Sequence, residues 1–329
     1  MENKSLLKKL TSSREASLVI VLVILCTLVT IKNPAFMSSQ NIMEILKNNA
    51  IIMIMALGML CVLLIGGIDI SITSTLAFAG MTIGMMYKNG QLTSTGMGFL
   101  ISIAMGAVCG LLIGVIIAYG GVMPIIATMG FMYIYRGFAY LVANDQWAGA
   151  EALGAFKDFA LVDVLGLNVV IWITFFCYII FFIVMKWTKF GRSIYAVGSN
   201  AEAAQISGIN VAFIRTAVYT IMGVLSGFCG ALSTSIYASA QPNMQTSKEM
   251  DVIAACVIGG VSMSGGRGSV VGALLGAIIL SVIAKALPLV GIPAIAQNTV
   301  KGVIIVAVIV LNVLTQRMID KANLEKREM

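Results

Sequence analysis

Residues able to do chemistry are scarce in this chain, and they sit beside breaks in apolar runs. Asp69 is the lone acid near the middle of the apolar mass, following Gly66-Gly67 and preceding Ser71 and Thr73. A charged side chain at the centre of a membrane helix costs about 2.5–3.5 kcal/mol on insertion scales, so something must offset it. Two offsets are available: Arg136, or backbone N–H groups freed by the Gly-Gly break. Asp69 then either caps a helix over Ser71–Tyr87 or touches a solute directly. Arg136 has its own alternative as an interface anchor among Tyr133, Tyr135 and Tyr140. Glu249 and Asp251 stand at a helix start, where negative charge suits the dipole. Asn144, Gln146, Trp147, Gln241, Asn243 and Gln297 add amides and an aromatic at outward ends, the groups a polar, uncharged solute requires. Asp69, Ser71, Asn144, Gln241, Glu249 and Asp251 are the candidates for a path or gate.

Several chemistries are excluded by what is missing. The chain has no histidine, which removes histidine-dependent zinc sites, Ser-His-Asp triads and histidine proton relays. Its six cysteines (Cys26, Cys61, Cys109, Cys177, Cys229 and Cys256) all fall within apolar runs, without CxxC or metal-ligand spacing. They read as buried free thiols. The nearest approach to a phosphate-gripping loop, Gly260 to Gly265, runs on into Gly266-Arg267 and lacks the lysine. If ATP drives this chain, the motor is another polypeptide.

The segment Thr188–Arg215 (TKFGRSIYAVGSNAEAAQISGINVAFIR) is the longest soluble-looking stretch between two long apolar runs, with an excess of basic residues. Asn200 fits a helix N-cap, Ala201–Ser207 a two-turn helix and Gly208 its left-handed stop. Ala201, Ala203 and Ala204 give that helix a low-profile face that another protein can approach closely. A loop that merely joins two spans needs no such helix, so the segment reads as a docking element, against the plainer alternative of a short interfacial helix.

The elements that must position these residues are membrane spans. Hydrophobic residues make up 59% of the 329 and charged residues 11%, against about 25% charged in soluble domains. One membrane domain over residues 1–329 is expected, all-α and polytopic. The net charge of +7 is concentrated at the chain ends and in residues 188–215, which encodes topology rather than affinity for nucleic acid. Spans are expected at 16–31, 50–65, 71–87, 97–119, 124–143, 167–187, 216–238, 251–263, 270–289 and 299–314, with an amphipathic interfacial stretch at 33–49. With the N-terminus cytoplasmic, inside segments hold thirteen Lys or Arg and outside segments five. This agrees with the positive-inside rule and puts both termini in the cytoplasm. The 16-residue run 50–65 is short for a span, and its glycine stop implies irregular backbone packed in protein or lining a cavity. Gly66-Gly67-x-x-x-Ser71 is echoed by Gly259-Gly260-x-x-x-Ser264, a weak internal repeat of the kind found around broken helices.

Four ordered motifs, GGIDIS (66–71), PIIATMG with RG (124–130, 136–137), FGRSIYAVGSNAEAAQISGI (190–209) and EMDVIAACVIGGVSMSGGRGSVVGALLGA (249–277), closely resemble the membrane permease subunits of bacterial ABC importers for monosaccharides. The similarity is to the ribose/galactoside/xylose branch, which includes the autoinducer-2 permeases, and covers nearly the whole chain after the first span. The resemblance implies that Gly191, Arg192, Gly198, Asn200, Ala203, Ala204 and Gly208 belong to a coupling segment meeting an ATP-binding subunit. It also implies ATP and Mg on that subunit, with no cofactor and no metal on this chain. A periplasmic or lipid-anchored sugar-binding protein would deliver the solute, and a second permease chain would complete the path through the lipid. No chemistry on the solute is expected. The chain departs from the family at Thr73 and at Gln245-Thr246-Ser247, where glycine is usual. The rival is a self-contained, ion-coupled transporter, which wants mid-membrane ionisable groups; only Asp69 and Arg136 offer themselves.

Overall fold

A computed structural model describes residues 14–293, 295–300, 302, 303, 306, 307 and 310. The basic start at 1–13, most of the span expected at 299–314 and the tail 315–329 lie outside the described residues. What is described is almost entirely helical: α1 (Arg14–Lys32), a 3-10 turn (Pro34–Met37), α2 (Ser39–Asn48), α3 (Ala50–Leu64), α4 (Ile72–Lys88), α5 (Thr95–Gly120), α6 (Pro124–Ala143), a 3-10 stretch (Gly154–Leu161), α7 (Val169–Trp187), α8 (Lys189–Ser199), α9 (Ala201–Ile206), α10 (Val211–Ile236), α11 (Lys248–Ile258) and α12 (Val270–Leu289). A two-residue hairpin, β1 (Asp163–Val164) with β2 (Leu167–Asn168), interrupts the loop before α7. Among the described residues six helices are long and apolar enough to cross a membrane, or seven if α2 and α3, bent by 47° at Asn49, make one span. The protein is a polytopic helical membrane protein.

Every residue of α3 is buried, and around it the other helices assemble. The tightest pairing is α5 with α10. Gly106 and Gly110 face Gly223 and Gly227 so closely that a Cβ at Gly106 would collide with the Gly223 carbonyl. The hydroxyl of Ser102 donates to the Gly227 carbonyl at 2.6 Å. Small residues at four-residue spacing let two backbones touch, which in lipid replaces the hydrophobic effect as the source of helix association.

The short helices differ in kind. At Gly66 the chain takes a left-handed turn (φ 75°), and residues 65–71 are non-helical before α4 begins. The run expected to cross at 251–263 is instead the 11-residue α11, starting three residues earlier. At 1.5 Å per residue it rises about 16 Å, roughly half the hydrocarbon thickness. The loop after it reaches the end of the bundle that carries α8 and α9, where the N–H of Gly266 donates to the Leu64 carbonyl at 2.9 Å. At the far end Ala240 bridges Ala148, and Lys88 donates to Gln146 Oε1 and to the Trp147 carbonyl. Residues 241–247 descend from there without helix. The N-terminus of α11 therefore lies about halfway through the bundle, beside the N-terminus of α4.

Candidate functional site

At those two helix starts polar groups gather. Thr73 donates to Glu249 Oε2 at 2.6 Å, across 176 residues of sequence. Arg136, from α6, donates to the carbonyls of Pro242 (2.8 Å) and Met244 (3.1 Å), and its second terminal nitrogen lies 3.5 Å from Thr73 Oγ1. Lys248 pairs with Asp251 at 3.1 Å, and the lysine side chain is 39% exposed. An exposed ion pair at this depth cannot face hydrocarbon cheaply; such groups face a bundle interior or a watery cavity. Gln245 and Ser247, in the descending segment, hold φ of 54° and 66°. These are left-handed values that cost a non-glycine residue about 1–2 kcal/mol. The departure from glycine noted in the sequence is thus a departure at strained positions. Strain of this kind gathers at functional sites.

Asp69 stands apart from this cluster. It is 2% exposed, and its Oδ1 accepts from the backbone N–H (2.9 Å) and the hydroxyl (2.6 Å) of Ser71. Of the two offsets open to it, the group just past the Gly-Gly break is the one used. Arg136 serves the Thr73–Glu249 network instead. Glu249 and Asp251 do fall in the first turn of α11, as a dipole argument requires. Asn144 and Gln241 lie at the far end. Asn144 is the exposed left-handed C-cap of α6 (φ 45°), and Gln241 donates to Ser239 Oγ at 3.2 Å. Neither joins the mid-depth cluster.

The 188–215 segment holds two helices where the sequence suggests one. In α9 the Asn200 side chain accepts from the Ala203 N–H at 3.0 Å, and Gly208 takes φ 83° past its end. The longer α8 is capped by Thr188, which accepts from the Gly191 N–H. The small-residue face needs correction. Ala204 is 4% exposed and packs into its own chain. Gly191 and Gly198 likewise turn inward, and a Cβ at Gly198 would collide with the Leu64 carbonyl. The surface left open comprises Arg192, Asn200, Ala203 and Gly208, with Glu202 and Ile206, the latter 88% exposed. The inward face clasps the end of α3 and the loop after α11: Gly198, Leu64 and Gly265-Gly266 are in backbone contact. Tyr195 donates to the Gly268 carbonyl at 2.9 Å, and burial pushes its phenol pKa up, which keeps it a donor. The first Gly-Gly stop therefore lies against the loop that follows the second, with Gly66 and Gly265 in contact beneath α8.

Residues 41–310 match the family described as "Branched-chain amino acid transport system / permease component". The ribose import permease protein RbsC of Escherichia coli K12 is 34% identical over 301 residues, 91% of this chain and 93% of that protein. RbsC of Bacillus subtilis is 36% identical over 292 residues, 88% and 90%. The galactose/methyl galactoside import permease protein MglC of Escherichia coli K12 is 34% identical over 321 residues, 92% and 95%. No solved structure matches. A half-length helix, a Gly-Gly break and a capped loop helix thus occur in a sequence matched over most of its length, and the chain belongs to this permease family.

Proposed function

We propose that this chain is the transmembrane permease subunit of an ATP-binding-cassette importer that carries a monosaccharide, or a similar small polyol-like solute, into the cytoplasm. The observation that supports it most is the mid-depth cluster of Thr73, Glu249, Arg136 and the Lys248–Asp251 pair at two helix N-termini, in a chain whose relatives are named for ribose and galactose import. A network of carboxylates, hydroxyls and cations that is internally paired can exchange partners with sugar hydroxyls. Among the described residues no group of His, Cys, Asp or Glu is placed to hold a metal ion.

In this reading the chain is a multi-pass inner-membrane protein with ten spans, counting α11 with its descending segment as one. Both termini and the α8–α9 end are cytoplasmic. Two such chains, identical or paralogous, enclose the path. Two ATP-binding subunits hold ATP and Mg and dock on Arg192, Asn200, Ala203, Gly208 and the exposed Ile206. Gly191 and Gly198 act from beneath, by tying α8 to α7, to the end of α3 and to the loop after α11, and Ala204 packs α9 inward, so a push on the loop reaches α3 and the loop that follows α11 through backbone contacts. A periplasmic or lipid-anchored sugar-binding protein delivers the solute at the far end.

The test is uptake of labelled ribose and galactose into proteoliposomes holding the chain with its co-purifying ATP-binding subunit. Uptake should require ATP, and sugar should be carried. Uptake by the chain alone, driven by an ion gradient, would overturn the assignment.

A further inference from the structure

A cavity of about 280 Å³ opens at the α8–α9 end, between the Gly-Gly break after α3, the turn joining α5 to α6, and the first turns of α10. Its walls include Gly67, Gly121, Pro124, Arg215 and Tyr219. Three features of those walls point the same way. Arg215 has no ion pair or hydrogen bond among the described residues. It lies in the first turns of α10, where the helix dipole already places positive potential and a cation is disfavoured. Pro124 opens α6 against the same cavity, placing that helix's N-terminus at its wall.

The third feature is independent of charge. Tyr219 is fully buried, and its hydroxyl has no hydrogen-bond partner. That hydroxyl lies against Gly67, in the cavity wall, where a Cβ would overlap it. Leaving a buried hydroxyl unpaired costs about 1–3 kcal/mol, a cost a bound oxygen would remove. Asp69 is within electrostatic reach of Tyr219, but its hydrogen bonds come from Ser71, and no ion pair joins it to Arg215 among the described residues. A guanidinium, the N-terminus of α6 and an unused hydroxyl donor around one space make an anion site. The volume exceeds that of a bare ion and leaves room for the rest of an ester.

We infer that this cavity binds a phosphate ester, with Arg215 holding the phosphate and Tyr219 donating to one of its oxygens. Two sources share that chemistry: a soluble phosphomonoester and a phospholipid headgroup. The inference does not depend on which solute is transported, and its test reads binding rather than uptake.

The full-length chain is purified in maltoside detergent without phosphate and with its lipid removed. Glycerol 3-phosphate and phosphatidylglycerol are then added separately, and thermal stability is followed. At least one should raise Tm in a saturable manner, and the one that does identifies the source. Arg215→Gln should weaken that binding by about tenfold or more, Tyr219→Phe by a smaller factor, and Arg215→Lys should restore most of it. Size-exclusion profiles establish that each variant is folded before binding is compared. Binding of neither probe, or equal binding by wild type and folded Arg215→Gln, would overturn the inference.

Discussion

The α5–α10 seam and the α4–α11 pair are built from opposite materials. In the seam, two 26-residue helices touch backbone to backbone through Gly106, Gly110, Gly223 and Gly227, with one added bond from Ser102. The α4–α11 pair meets through side chains, Thr73 on Glu249 with Arg136 nearby, beside strained Gln245 and Ser247. Backbone contact has no second arrangement of similar energy, since any slide meets a carbonyl. Side-chain hydrogen bonds among ionisable groups can be exchanged for bonds to solute or water. The seam is thus suited to staying shut while the short helices move.

The sharpest way to break that contrast is to add volume to the seam. Gly223→Leu should abolish assembly, leaving no monodisperse protein on fluorescence size exclusion. Gly130→Ala, where nothing lies within 4 Å of the added carbon, should assemble normally. Next in size is Asp69. Asp69→Asn keeps an acceptor for Ser71 and should retain partial uptake. Asp69→Leu leaves the buried N–H and hydroxyl of Ser71 unpaired, at about 1–3 kcal/mol each, and should fail to assemble. A well-assembled Leu variant with normal uptake would contradict a structural role for the Asp69–Ser71 bonds.

Glu249→Gln and Arg136→Gln test the other side of the comparison. Both should reach the membrane at normal levels and lower uptake by roughly tenfold, the scale of a lost charged hydrogen bond. A loss of protein instead of activity would make the cluster structural, like the seam. On the loop, Ala203→Trp and Ala204→Trp separate outward from inward faces. Ala203→Trp should keep Tm and lose co-purification of the ATP-binding subunit. Ala204→Trp should lower Tm, because overpacking a buried position costs typically about 1–3 kcal/mol. The smallest effect is expected at Ser247→Gly, which relieves a left-handed backbone and should stabilise the protein by about 1 kcal/mol. Uptake should change more than stability does.

Local signals were readable from the sequence wherever one residue does one job. Gly66 stops α3, Pro124 opens α6, Asn200 caps α9, and Gly208 turns left-handed, all as their types dictate. Helix α8 escaped notice because Gly191 and Gly198 lower its propensity; they are there for close approach to α7 and α3, a tertiary reason. The direction of Ala204 was equally hidden, since three alanines in two turns do not say which of them faces the chain. The sequence leaves the partner of Arg136 open for a related cause. Asp69 is the acid that stands out in sequence, whereas Thr73 and Glu249 meet only because two short helices start at one depth. The length of α11 is the signal that would have found them: too short to cross, it must begin inside.

The first helix carries a consequence for how the protein is made. Along α1, Val19 through Leu28 are largely exposed, and Val29 is the buried exception. Its main neighbour is α12, reached through Glu15 Oε1, which accepts from Ser269 Oγ, and through the packing of Val29 and Phe36 against Val282 and Ala286. Glu15 and Ser269 are 254 residues apart. At about 5–20 residues per second of synthesis, α1 waits tens of seconds in the bilayer before its partner exists. A helix that must spend that time unaccompanied has to be stable with lipid on every side, and α1 has the all-round apolar surface that such a wait demands.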